Sequence, residues 1–271
     1  MEVVQPPGAV QPPGAMHPPG TPGCWDVRRF ASLASTNDWL LERAREGAAA
    51  GLVALADHQS AGRGRMGRHW EAPRGRCLLV SVLLRPVAPP GELFACSAAV
   101  ALSVADACWR ESGVEVGVKW PNDLVIGDEK VAGVLAESDA AAPGGRRGSV
   151  AVVVGVGLDV DWAPPGATSL AAHGRAAGRD ELLGAALDAL APRVPLLDTD
   201  EGRRAIVGEL RARCVTLGHR VRVEMAGTGA LVGVARALAD DGRLVVATAA
   251  GDTTVGAGDV VHLRPAAEHR R

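Results

Sequence analysis

Apolar positions along the chain fall into two periods, and the alternation between them predicts its elements. The segment 35–47, STNDWLLERAREG, has helical spacing behind Ser35, a residue suited to an N-cap, with Asp38 completing an S-x-x-D box and Gly47 ending the run. The segment 92–113 has the same period and the same glycine stop. Between them, 51–57 (GLVALAD) and 77–86 (CLLVSVLLRP) are apolar runs of strand length, the second halted by Pro86. Further strands are expected at 114–120, 129–138 and 148–161. The last two are joined through DAAAPGGRRG, which predicts an antiparallel pair. Helices are expected near 180–192 and 201–213. From Leu217 the texture changes to short strands and turns, including Asp241-Gly242, which predicts a small β-barrel of roughly fifty residues. The sum is an α+β fold with a β appendix.

Residues 1–23 do not share this patterning. They repeat QPPGA, QPPGA and HPPGT, too rich in proline and glycine to build a core, and predict an extended, disordered tail. The first ten residues lack the basic and apolar regions of a secretory signal, and no stretch is long and apolar enough to span a bilayer. The five cysteines, Cys24, Cys77, Cys96, Cys108 and Cys214, are scattered, odd in number and never in a CxxC pair, which predicts a reduced, cytosolic chain. The formal net charge of −2 argues against a general nucleic-acid binder. The basic residues are uneven in type: 27 are arginine and only two, Lys119 and Lys130, are lysine. A chain that uses arginine for generic positive charge gives its two lysines some other reason to be there.

Three segments carry candidate chemistry. The run HQSAGRGRMGRHW, 58–70, sets Arg63, Arg65 and Arg68 among glycines and closes on Trp70. It lacks the GK[ST] of a Walker loop and is too brief for an RGG tract, so it reads either as a solvated surface loop or as a flexible anion-binding loop. Recurrent forked guanidiniums and a neighbouring indole favour an anion with a planar group attached. The run VKWPND, 118–123, is good turn chemistry in Pro121 and Asp123, which leaves Lys119 unexplained. In EKVAGVLAE, 129–137, Lys130 starts a strand and Gly133 marks either a bulge or the close approach of a ligand. The lone GxG of GVGLDVD, 155–161, is too short for a dinucleotide fingerprint.

Taken in order, STN, DHQSAGRGRMGRHW, LLVSVLLRP, VKWPNDL, KVAGVLAE and VVVGVGLDVD resemble the biotin protein ligases over about 35–160, with a looser fit beyond. The resemblance implies a mixed sheet with flanking helices, related to the class II aminoacyl-tRNA synthetase core, followed by an SH3-like β-barrel. It implies domains at 24–215 and 216–266. It implies an enzyme that joins biotin to ATP, with Mg2+, as biotinyl-5′-AMP and transfers the biotinyl group to a lysine of a biotin carboxyl carrier domain of acyl-CoA carboxylases. By resemblance, Ser35, Thr36, Asn37 and Gln59 receive the biotin head, with Gly62 and Gly133 beside it. Arg63, Gly64 and Arg65 line the carboxylate and phosphate, Arg68 reaches the triphosphate and Trp70 flanks the adenine. Lys130 serves the carboxylate or α-phosphate, and Lys119, Asn122 and Asp159 lie on the nucleotide side. Arg63, Arg65, Lys119 and Lys130 form the catalytic set. ATSL, 167–170, resembles part of a second loop that closes over the adenylate.

Two departures from the family pattern stand out. Asp159 occupies a position where many members carry Asn, and the helix-turn-helix domain that opens many members is replaced by the PPG tail. The expectation is therefore a monofunctional cytoplasmic ligase, a monomer or weak homodimer, without nucleic-acid or membrane partners. The lipoate ligase and octanoyltransferase branch shares the fold but has an RRxSGGG-type loop, absent here. A nucleic-acid module built on GRGRMGR is the alternative of another class.

Overall fold

A computed structural model describes residues 25–262, apart from 176, 226–228 and 257. The 1–23 tail and the last residues assigned to the C-terminal domain lie outside the described residues. The chain runs β1 (Asp26–Phe30), α1 (Thr36–Arg45), β2 (Leu52–Ala56), β3 (Cys77–Leu84), α2 (Phe94–Ser112), β4 (Gly117–Lys119), β5 (Asp123–Ile126), β6 (Glu129–Asp139), β7 (Ala151–Asp159), α3 (Arg179–Leu190) and α4 (Asp200–Ala212). Five strands follow: β8 (Arg220–Met225), β9 (Gly229–Leu238), β10 (Leu244–Thr248), β11 (Gly251–Val255) and β12 (Asp259–His262).

The first seven strands make one sheet in the order β1-β2-β3-β7-β6-β5-β4, parallel only at β1-β2. The strand period of two explains why β3 and β7 read as unbroken apolar runs: both faces are covered. On β7, Val152, Val154, Val156 and Leu158 join the core against α2, while Ala151 and Val153 pack with Leu40, Leu41 and Ala44 of α1. Full burial of each such Leu or Val is worth about 1.5–3 kcal/mol. Ser35 caps α1 by accepting from the Asp38 amide at 3.3 Å. The Arg85 guanidinium closes the other end, donating to the carbonyls of Ala44 and Ala48. Gly113 ends α2 in the left-handed conformation, as its position in the sequence predicts.

The C-terminal strands form an antiparallel sheet, β11-β10-β9-β8-β12, consistent with an SH3-like domain. Trp120, 1 % exposed, ties it to the first sheet: its backbone amide donates to Thr216 Oγ1 at 3.0 Å and its indole to Gly242 O at 2.9 Å. The Asp241-Gly242 turn therefore faces inward, where a side chain at Gly242 would collide with Phe94.

One strand was not expected, and two expectations need correction. β1 is an edge strand whose DVRRF sequence is too polar to signal one. The strand expected at 114–120 is ordered as a strand only over Gly117–Lys119. PND does not merely turn the chain, because Asp123 begins β5. No helix among the described residues is long and apolar enough to cross a membrane.

Candidate functional site

The face of the sheet that carries α1 continues past the helix N-terminus, and there its side chains shrink. Continuing the odd positions of β7 beyond Val153 gives Gly155, Gly157 and Asp159. Opposite Gly155 and Gly157 on β6 stand Leu135 and Gly133. The bare glycines floor a cavity of about 520 Å³, lined also by Ser35, Thr36 and Asn37, by residues of the 63–70 segment and by Lys130. Each glycine is required by what lies above it. A Cβ at Gly155 would stand 2.3 Å from Asn37 Oδ1, and one at Gly157 2.3 Å from Trp70 Cε2.

A polar cluster fills the helix end of this cavity. Gln59 Oε1 accepts from the Thr36 amide at 2.7 Å and lies 3.0 Å from Thr36 Oγ1. Ser81, fully buried on β3, bonds Thr36 Oγ1 at 2.7 Å and Asn37 Oδ1 at 2.6 Å. Asn37 Nδ2 donates to Leu135 O and to Glu137. The cluster gathers the expected head-binding residues Ser35, Thr36, Asn37 and Gln59 in one place, all lining the cavity.

The arginine segment is a folded hairpin rather than a loose loop. Arg63 pairs with His69, the Gly64 amide donates to Arg68 O, and the Trp70 amide donates to Gly62 O. Met66 and Gly67 turn the tip with φ of 57° and 73°. Gly62 is needed for closeness: a Cβ there would stand 2.8 Å from Trp70 O. Gly62 thus braces the hairpin beside the cavity, whereas Gly64, Arg65, Arg68 and Trp70 line it.

Arg63 and Arg65 have different surroundings. Arg63 grips both oxygens of Asp38, at 2.7 and 2.6 Å, and also Glu137 at 3.0 Å. Its bonds to Asp38 raise its pKa above the ordinary arginine value. Arg65 donates to Asn122 Oδ1 at 2.9 Å and reaches Gly258 O, just before β12, at 3.4 Å. Burial lowers the Arg65 pKa, and the charge of Asp123 counteracts this.

Lys130 stands at the other end of the cavity. Pairing between β5 and β6 slips by one residue, so that Leu124 faces Ala132 and Val125 faces Lys130. This bulge puts Lys130 on the cavity side, although its even position would otherwise share the opposite face with Ala132 and Val134. Its Nζ lies 2.6 Å from Asp123 Oδ1 and 5.4 Å from the Trp70 ring centroid. Ala167 bridges to Lys130, and the Thr168 amide donates to Lys130 O at 2.8 Å, so the ATSL segment borders the cavity. Asp159 closes the floor at 1 % exposure, accepting from the Cys77 thiol at 3.4 Å. Burial pushes its carboxyl up to about 7, although the Cys77 bond and the Lys130 charge act the other way.

Lys119, like Gly62, does not line the cavity. It ends β4, where its charge joins burial in lowering the pKa of His262 on β12. Asn122 lines the cavity and is fixed by donating to Val134 O at 2.9 Å. The sequence alone did not single out Ser81, Glu137 or Asp123 as site residues. Ser81 is the polar exception inside CLLVSVLL, and that was its signal.

Residues 30–159 match the biotin/lipoate A/B protein ligase family, and residues 216–263 match the biotin protein ligase C-terminal domain. The chain is 41 % identical over 244 residues to a biotin–[acetyl-CoA-carboxylase] ligase of Mycobacterium tuberculosis, covering 86 % of this chain and 88 % of that one. It is 33 % identical over 218 residues to the ligase of the same name from Paracoccus denitrificans, covering 76 % and 88 %. Among solved structures, the biotin protein ligase of Aquifex aeolicus in complex with biotin and ATP superposes with a TM-score of 0.73 at 25 % identity, over 89 % of this chain and 99 % of that one. With its glycine-floored cavity, its arginine hairpin and its two matched domains, the chain belongs to the biotin protein ligase family.

Proposed function

We propose that the chain activates biotin with ATP and transfers it to a lysine of a biotin carboxyl carrier domain of an acyl-CoA carboxylase. A biotin carboxylate oxygen attacks the α-phosphate, the bond to the bridging oxygen breaks, and pyrophosphate leaves. The acceptor amine then attacks the acyl carbon of biotinyl-5′-AMP, loses its proton, and AMP departs. The observation that carries this reading is one cavity with a neutral polar cluster at one end and cations at the other. Asn37 meets β6 at Leu135, and Lys130 lies five residues back. At about 3.3 Å per strand residue that separation is roughly 16 Å.

In this reading Thr36, Gln59 and Ser35 receive the ureido head, and Gly155, Gly157 and Gly133 leave room for the rings. Lys130 meets the carboxylate and the attacked phosphate. Arg65 and Arg68 face the phosphates, with Asn122 behind Arg65 and Trp70 over the nucleotide. Fixed donors of this kind are typically worth about 10²–10³ in rate each. Magnesium fits as part of the nucleotide substrate. Among the described residues no three carboxylate, His or Cys side chains are grouped to hold an ion, and Asp123 is paired with Lys130. Phosphate oxygens and water would supply most of its ligands.

The same reading divides the chain at 215/216 into catalytic and C-terminal domains, with Arg65 touching both. It has the protein act in the cytoplasm as a monomer or weak homodimer, without DNA. Cys77, Cys96, Cys108 and Cys214 are all buried and unpaired, as suits a reducing compartment. Calorimetry with biotin and with lipoate tests the substrate, and a gel-shift titration tests DNA. Saturable biotin binding with no lipoate heat and no shift is expected; lipoate binding alone would move the chain to the other branch of the family.

A further inference from the structure

The Arg63 guanidinium does not point at a vacant anion site; it is already held by Asp38 of α1 and Glu137 of β6. Arg63 sits at the base of the hairpin, so these two carboxylates fix the hairpin to both the helix and the sheet. Glu137 has a second duty, because its Oε2 accepts from Asn37 Nδ2 at 2.7 Å. Behind Asn37 the hydrogen bonds continue to Ser81. Asn37 Oδ1 can only accept, so the single Ser81 hydroxyl proton goes to it at 2.6 Å. Ser81 Oγ also lies 2.7 Å from Thr36 Oγ1, whose own hydroxyl reaches Gln59 Oε1 at 3.0 Å. The contacts run from Thr36 through Ser81 and Asn37 to Glu137, and Arg63 closes the series from the other side.

We propose that Asp38 and Glu137 are positioning residues, which clasp Arg63 to hold the hairpin over the cavity and, through Asn37 and Ser81, tie the hairpin to the end that receives the ligand head. This rests on the ligase reading and changes one of its expectations: the Arg63 side chain anchors, while the phosphate is left to Arg65, Arg68 and Lys130. The ion pairs are about one-third exposed, Arg63 at 39 % and Glu137 at 30 %, so each alone would be weak. Bidentate geometry and the shared acceptor give the clasp its specificity.

The hairpin supplies its own reporter, because Arg65 and Arg68 are trypsin sites. The full chain is digested briefly without ligand, and cleavage after Arg65 or Arg68 is followed by intact mass. Asp38→Asn and Glu137→Gln should each speed that cleavage by about tenfold, in line with losing one charge-assisted contact. Asp38→Glu should restore protection. The melting temperature should stay near the parent's, while the biotin KM rises several-fold and kcat changes less. If Glu137→Gln fails to fold, the exposed Asp38→Asn and its rescue still decide the matter. Parent-like cleavage in a folded Asp38→Asn variant would overturn the clasp. The digestion needs no substrate, so it stands apart from the ligase reading, which fails only if the parent itself transfers no biotin.

Discussion

Gly157 and Trp70 share one volume: a Cβ on Gly157 would stand 2.3 Å from the indole Cε2. The ring lies over the glycine floor and also within 3.0 Å of a Cβ placed on Gly133, its paired residue on β6. The indole Nε1 is buried there with no hydrogen-bond partner among the described residues. A ligand that enters this slot has to contend with the ring.

Gly157→Ala tests that arrangement. Gly157 is not among the positive-φ glycines, so its strand backbone accepts alanine, and displacing the indole should cost about 1–3 kcal/mol of stability. The methyl group should push the indole off the floor and occupy ligand space, raising the biotin KM by about tenfold, some 1.4 kcal/mol. Tryptophan emission in the free protein, compared with a Trp70→Phe control, should shift with the ring. Unchanged emission and an unchanged KM would show that the ring yields at no cost.

Lys130→Arg keeps the charge but not the shape. Nζ lies 2.6 Å from Asp123 in the room left by the missing side chain of Gly133, a seat fitted to a compact ammonium rather than to a broad planar guanidinium. Adenylation, followed by pyrophosphate release, should fall by about 10²-fold or more, as expected on losing one preorganised contact. Near-parent adenylation would show that charge alone matters at this position.

Arg65→Ala should leak the intermediate. The side chain joins the hairpin to Asn122 and to Gly258, just before β12, while facing the cavity. Charge-assisted bonds to phosphate are worth about 1.5–3 kcal/mol, so retention of biotinyl-AMP should drop by about 10- to 100-fold. Rapid filtration of the preformed complex measures it, and parent-like retention would remove Arg65 from the phosphate.

Asp159 predicts a dependence of stability on pH. Its folded pKa, about 7, lies above the ordinary carboxylate value because the group is buried. Between the unfolded and folded values the native state holds a proton that the unfolded state has lost. Stability is therefore highest at low pH on this group's account and falls as pH rises from about 4 to 7, by an amount on the order of 2–4 kcal/mol. Asp159→Asn should flatten the change, so that the variant gains on the parent at pH 8 relative to pH 5 in urea denaturation. Parallel pH profiles would contradict it.

Much of this was legible in the sequence because local rules decided it. The Ser35 cap, the Gly113 stop and the β6-β7 pair follow from spacing and turn residues alone, and the apolar runs of β3 and β7 announce two covered faces. The cavity was visible only through motifs, because its floor is made of absences: Gly155, Gly157 and Gly133 are informative only once the register aligns them. The aim of Lys130 depends on a one-residue slip against β5, a strand hidden behind turn-forming residues. Nothing local in the sequence reveals that Asp38 and Glu137, 25 positions before Arg63 and 74 after, converge on it. Lys119, singled out for its rarity, faces the C-terminal sheet instead, where composition gives no warning.

Intact-mass spectrometry of a biotin carboxyl carrier domain, incubated with the purified chain, ATP, magnesium and biotin, tests the central claim most directly. The account predicts one biotinyl group on one carrier lysine, dependent on ATP and lost when that lysine is replaced by arginine. A carrier that stays unmodified with biotin, or is modified only when lipoate or octanoate is supplied, would contradict it.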